Sequence, residues 1–142
     1  MPDTSRELPF IDEHSREVAA SAEAAWDAVN HVVRRSFSGQ AKSAVARVLC
    51  CTETELTGFR VAASRPPEVL ELQGRHRFSA YELNFYVESL GPERSRVRAE
   101  TRATFPGLAG RAYEAAVMGS RGHVAAVNSL LGATAARAER AR

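Results

Sequence analysis

The stretch RFSAYELNFYVESLGPERSRVRAETRATFPGLAGRAY, Arg77 to Tyr113, decides the fold. Its inward set recurs at every second position: Tyr81, Leu83, Phe85 and Val87, then, beyond a turn at Gly91-Pro92-Glu93, Val97, Ala99, Thr101, Ala103 and Phe105. A period of two with one largely apolar face predicts two half-buried strands. Antiparallel pairing must set inward residues opposite inward residues, and this turn does so with Val87 opposite Val97 and Leu83 opposite Thr101. The same register brings Glu82 opposite Arg102 and Glu88 opposite Arg96 on the outer face. Pro106-Gly107 then ends the strand.

Two further alternating segments precede this hairpin. Phe59, Val61 and Ala63 share one face of the first, and Leu70, Leu72, Gly74, His76 and Phe78 share one face of the second. Parity predicts Ala63 opposite Leu70 across Pro66-Pro67, and Phe78 opposite Tyr81 across Ser79-Ala80. His76 then faces Leu83, Gly74 leaves room for Phe85, and Arg77 stands beside Glu82. Upstream, Glu13 to Val18 reads as a short strand, and Ser21 is placed to cap a helix from about Ala22 to Arg35, with Glu23 at its positive end. Trp26, Val29, Val32 and Val33 form the apolar face of that helix. A second, shorter helix is expected from about Gln40 to Leu49. After the strands, one long helix is expected from about Leu108 to Leu131, with Tyr113, Val117, Val124, Val127 and Leu131 in a stripe. Gly119 and Gly122 interrupt it at a cost of about 1 kcal/mol each relative to Ala. In domain terms, residues 1–10 read as a loose arm, 11–132 as one domain, and the Ala/Arg tail 133–142 as a segment expected to fray.

This order, with HSREVAASAEAAWDAV (His14 to Val29) and the Arg77 to Tyr113 stretch as its carriers, resembles the START-like, or SRPBCC, superfamily, which includes polyketide cyclase/dehydrase-like proteins. The resemblance spans about Glu13 to Leu131. It implies an α+β helix-grip fold: a curved antiparallel sheet wrapped around a long C-terminal helix, with two short helices after the first strand. It also implies a cavity between sheet and helix in which such proteins bind lipids, hormones, flavonoids or polyketide intermediates, a minority acting on them chemically.

Composition limits the remaining classes. The chain has 142 residues, enough for one domain, and its formal charge of +2 rests on 19 basic and 17 acidic residues, so no large single-sign field is available for nucleic acid. Arg75, Arg77, Arg96, Arg98 and Arg102 are interleaved with Glu71, Glu82, Glu88 and Glu100, which reads as a solvated mixed face. No apolar run reaches the roughly 18 residues needed to insert into a membrane, and the polar N-terminus lacks the pattern of a secretory signal. A cytoplasmic, bacterial protein is expected. Cys50 and Cys51 are adjacent, poorly placed to bridge, and leave any tetrahedral metal site half empty. They read as packing. No cofactor-binding fingerprint occurs.

The expected ligand-binding set is Phe59, Val61, Leu72, His76, Phe78, Tyr81, Leu83, Phe85, Val97, Thr101, Tyr113, Val117 and His123, around a small hydrophobic molecule. No catalytic residue is assigned. Two readings are open for His76: a polar group on a pocket wall, with a titration range suited to acid-base work, or a packed core imidazole. The same pair stands for His123, in the GSRGH run at 119–123. Tyr81 and Tyr113 either offer hydroxyls to a pocket or reach the edge of a core. His14 and His31 receive no role, and no acid is found at an inward strand position. Three functions follow: binding of an apolar or aromatic ligand, a cyclase, aromatase or dehydratase using a pocket histidine, or a ligand-free module acting as a homodimer.

Overall fold

The computed structural model of the chain describes residues 8–37, 59–76, 79–105, 107–118 and 122–141. Strand β1 (Phe10–Val18) leads into helix α1 (Ala22–Phe37). Then come β2 (Phe59–Arg65), β3 (Val69–His76), β4 (Ser79–Gly91), β5 (Arg94–Thr104), α2 (Gly107–Met118) and α3 (Gly122–Arg140). The five strands form one antiparallel sheet in the order β1-β5-β4-β3-β2. The helix expected at 40–49, Cys50 and Cys51 lie outside the described residues. No described helix is long and apolar enough to cross a membrane.

The local signals act as their chemistry requires. Ser21 caps α1, its Oγ accepting from the Ala24 amide at 3.1 Å, which satisfies one of the first-turn donors. Val87 pairs with Val97, Leu83 with Thr101, Glu82 with Arg102 and Glu88 with Arg96, the register that parity alone predicts. Along β5 the alternation is nearly complete, with Ser95, Val97, Ala99, Thr101 and Ala103 all buried on the inner face.

Two registers differ from expectation. β3 and β4 keep the predicted parity but are offset, so Leu70 faces Phe85, Leu72 faces Leu83, Gly74 faces Tyr81 and His76 faces Ser79. The ladder therefore closes two residues earlier than expected, with His76 and Ser79 as its last pair, and Gln73 rather than Arg77 stands opposite Glu82, its Nε2 donating to Oε1 at 3.4 Å. In the β2–β3 ladder the register slips between Val61 and Ala63, so Ala63 pairs with Glu71 and Ser64 with Leu70. An irregularity of this kind moves the following residues to the opposite face. Ala63 thereby leaves the face it was expected to share with Val61.

The helical end also differs. Two helices replace the single long one, the second beginning at Gly122, one of the two glycines that weaken a continuous helix. The tail expected to fray is helical to Arg140, and Ala135 and Ala138, each 1% exposed, belong to the core. Small side chains let α3 lie close to its neighbours, so the absence of bulky apolar residues marks tight packing. α1 packs against α3 and against β4 and β5, while α3 also runs along β1. Trp26, Val29, Val33, Leu70, Leu72, Phe85, Val97, Val127 and Leu131 are among the residues they enclose.

The outer face is not uniformly solvated. Its rims carry exposed ion pairs, Arg98 with Glu13 at 2.9 Å and Arg96 with Glu88 at 3.3 Å. At its centre Asn84 and Glu100 are buried. Long neighbours cover them: Arg98 lies 4.3 Å from the centre of the Tyr86 ring, and Arg102 Nε donates to Glu100 Oε1 at 2.8 Å.

Candidate functional site

β1 is an edge strand whose ladder with β5 slips once, between Phe10 and Asp12. Phe10 faces Arg102 on the outer side, whereas Asp12 faces Thr101 and His14 faces Ala99 on the inner side. In an unbroken strand Phe10 and Asp12 would share a face. The slip turns Phe10 to the outer side, while Asp12 keeps the parity of His14, Arg16 and Val18 and lies in the inner layer.

There Asp12 meets two imidazoles. Its Oδ2 lies 3.2 Å from His14 Nε2, and its Oδ1 lies 3.2 Å from His123 Nε2 on the first turn of α3. The Asp12, His14 and His123 side chains are 25%, 25% and 14% exposed. Burial works to raise the Asp12 carboxyl, but hydrogen bonds and charge from His123 and His14 outweigh it. The group is held below its ordinary value of 3.8. Asp12 is therefore ionised near neutrality and can only accept, so both Nε2 atoms donate to it. In the neutral ring this leaves the lone pair on each Nδ1. Directly across the ladder, Thr101 is 5% exposed and its Oγ1 has no hydrogen-bond partner. Among the described residues, no group of three His, Cys, Asp or Glu is arranged to hold a metal ion.

Three contacts fix α3 relative to β1. Besides His123 on Asp12, a Cβ at Gly132 would stand 3.6 Å from Arg16 Nη1, so the guanidinium lies over that turn. Near the far end Glu139 Oε1 accepts from the Ala19 amide at 3.1 Å.

No family model matches the sequence, and no curated protein matches it at a significant level. Solved structures do match. The Zhui aromatase/cyclase from Streptomyces sp. R1128 superposes with a TM-score of 0.54 at 17% identity, covering 89% of this chain and 93% of that one. A START superfamily protein from Mycobacterium smegmatis gives 0.51 at 15% identity, over 94% and 99%. A conserved protein from Geobacillus kaustophilus gives 0.52 at 14%, over 90% and 91%. The chain has the START-like helix-grip fold.

Within this helix grip the residues expected from the sequence fall into three groups. Leu72, Tyr81, Leu83, Phe85, Val97 and Thr101 lie together, buried on the inner face. Val61 is opposite Leu72 on edge strand β2 and is 49% exposed. Phe59 and His76 are placed by backbone alone, at register positions facing Gly74 and Ser79. Tyr113 and Val117 lie on α2, and Phe78 falls outside the described residues. His123 lies against Asp12.

Asp12 escapes the sequence reading because the strand is started at Glu13, and His14, inside that strand, then has no acid within reach to give it a role. One signal could have found them. Val18 is the apolar anchor of β1, and counting back in twos from it reaches Arg16, His14 and Asp12. A second feature of the helix grip is an open groove of about 890 Å³ on the outer side, lined by Glu13, Glu68, Tyr86, Glu88, Arg96 and Arg98 among others. Its charges largely pair with one another, and it gathers none of the groups just described.

Proposed function

We propose that this helix grip binds a small apolar or aromatic molecule on the inner side of its sheet, with the Asp12 cluster supplying the polar contacts. One observation carries the reading. A largely apolar inner layer contains two buried hydroxyls with no partner, Ser95 and Thr101, the second opposite a carboxylate that orients two imidazoles. A layer evolved only for packing has no use for an unsatisfied buried hydroxyl, which costs about 1–3 kcal/mol. A few polar groups at the edge of an apolar surface are what ligand sites present. Burial of ligand surface then supplies about 25 cal/mol per Å², and the polar groups set orientation. Titration of the purified protein with fatty acids, flavonoids and aromatic polyketides tests this. Saturable binding that Phe85→Ala weakens is expected, and no binding across the whole panel rejects the reading.

A second reading has one specific observation in its favour. Cyclase or dehydratase chemistry needs a histidine within hydrogen-bond reach of a group that relays or orients its proton, and His123 lies 3.2 Å from Asp12. The fold is shared with the Zhui aromatase/cyclase. Turnover of an aromatic polyketide precursor by the wild type, lost in His123→Ala, supports this reading. Equal rates reject a catalytic His123.

A further inference from the structure

The polar groups at the β1–α3 junction restrict which apolar molecules fit, and the restriction follows from counting donors and acceptors. The ionised Asp12 carboxylate takes a hydrogen from Nε2 of both His14 and His123. In its neutral form each ring then offers an acceptor at Nδ1. Asp12 is the side-chain partner of both imidazoles. Thr101 Oγ1 is buried, unpartnered and on the same face directly across the ladder, where Cβ atoms of facing residues stand about 4.5–5.5 Å apart. Its hydroxyl can donate and accept. The site therefore contains acceptors that want a proton and a hydroxyl that can give one. A ketone or ether oxygen can accept from Thr101 but gives nothing to either imidazole. A hydroxyl satisfies Thr101 and one imidazole, its hydrogen going to that ring's Nδ1 and its oxygen accepting from Thr101. The amino end of α3, where His123 sits, adds partial positive charge beside that oxygen, which favours the more acidic phenolic or enolic hydroxyls over aliphatic ones.

We propose that Asp12, His14, His123 and Thr101 form a selective anchor for a phenolic or enolic hydroxyl on an otherwise apolar ligand. This rests on the ligand-binding reading above and narrows it to hydroxyl-bearing molecules.

The test uses two probes that differ only in that hydrogen, 2-naphthol and 2-methoxynaphthalene, titrated by calorimetry into the whole protein, its Thr101→Val variant and its Asp12→Asn variant. The wild type binds naphthol about tenfold or more tighter than the ether, the scale of one well-made hydrogen bond in a site that otherwise leaves groups unpaired. Thr101→Val keeps the shape, removes the donor that serves both oxygens, and weakens both probes severalfold with their ratio kept within about twofold. Asp12→Asn donates to one imidazole, turns its Nδ1 from acceptor to donor, and lowers the ratio. Because that readout is a ratio within one variant, a general loss of folded protein does not imitate it. Equal affinity of the two probes for the wild type overturns the anchor and leaves the ligand-binding reading standing. A naphthol preference that survives in Asp12→Asn, or unchanged affinity of both probes in Thr101→Val, also overturns it, placing the selective group elsewhere. Failure of both probes to bind at all removes the anchor together with the reading beneath it.

Discussion

The unpartnered hydroxyl of Thr101 makes a prediction about stability that runs opposite to the usual effect of a core substitution. Thr101 is 5% exposed, faces Asp12 and Leu83 in its two ladders, and its Oγ1 has no hydrogen-bond partner. Val differs from Thr by a methyl in place of that hydroxyl. Thr101→Val therefore keeps the volume and the β-branched preference for a strand, and deletes a buried polar group whose desolvation costs about 1–3 kcal/mol when nothing compensates it. Taking the lower end, the ligand-free variant gains about 1 kcal/mol, equivalent to about 3–5 °C in Tm for a chain of this size. Urea titration and thermal melting measured without ligand read this directly, and a raised midpoint at unchanged slope assigns it to stability. Thr101→Ser is the control, since it retains the hydroxyl and loses only a methyl, and it falls below wild type. A Thr101→Val variant that melts lower than wild type refutes the reasoning, because the hydroxyl must then be making a bond worth more than its burial costs. The same substitution is expected to weaken binding of ligands whose oxygen accepts from Thr101, so stability and affinity move in opposite directions at one atom.

Other expectations follow from the same geometry. The Asp12 carboxyl is held below its ordinary value of 3.8, so its contribution to stability is fully present above that value and is lost as pH falls through the lowered one. The gap in urea midpoint between wild type and Asp12→Asn should stay level from pH 5 down to about 4 and close below that; a gap independent of pH down to 2 contradicts it. Ala138 is buried where α3 packs and Ala136 is exposed, so Ala138→Glu should cost about 3–5 kcal/mol as an unpaired buried charge while Ala136→Glu is nearly neutral. Equal midpoints for the two would mean that residues 133–140 contribute nothing to the core. Ser21→Ala removes the α1 cap and should lower stability by about 1 kcal/mol, read by the same titration.

The parts of the fold legible in the sequence are those governed by local rules. β5 and the β4–β5 hairpin alternate cleanly and are joined by a tight turn, so parity alone recovers Val87 opposite Val97. Ser21 before an apolar-periodic run is recovered for the same reason. What parity cannot supply is an offset that preserves it. Tyr81 faces Gly74 rather than Phe78, and both registers place inward residues opposite inward ones. Nor does alternation survive an inserted residue, and the two slips at Phe10/Asp12 and Val61/Ala63 carry Phe10 and Ala63 to faces that counting does not give. The candidate site sits at one of these breaks. His123 stands out in the sequence because it interrupts an Ala-rich run, but its partner lies 111 residues away and becomes its neighbour only when α3 lies on β1. The Ala-rich tail is misread for a related reason, since apolar faces are counted by bulky residues and α3 packs with small ones.

The position of His123 is determined by more than its own hydrogen bond. β1 and α3 run side by side in the same direction, with His123 at Asp12 and Glu139 at Ala19. From Asp12 to Ala19 an extended strand advances about 23 Å at its usual rise per residue, and from His123 to Glu139 a helix advances about 24 Å. The two lengths match within one angstrom or so, so both ends can be satisfied at once without bending either element. The Arg16 guanidinium lies over Gly132 in the middle, where an added Cβ would stand 3.6 Å from Nη1, in ordinary contact. An axial slide of α3 large enough to separate His123 from Asp12 would therefore also break the contact at Ala19. Loss of the remote acceptor, as in Glu139→Ala, should loosen the imidazole that Asp12 orients without touching the site. Hydrogen exchange reads this as faster exchange along α3 that extends to its first turn. Exchange confined to the last turn would show that the two ends move independently and that the cluster alone holds His123.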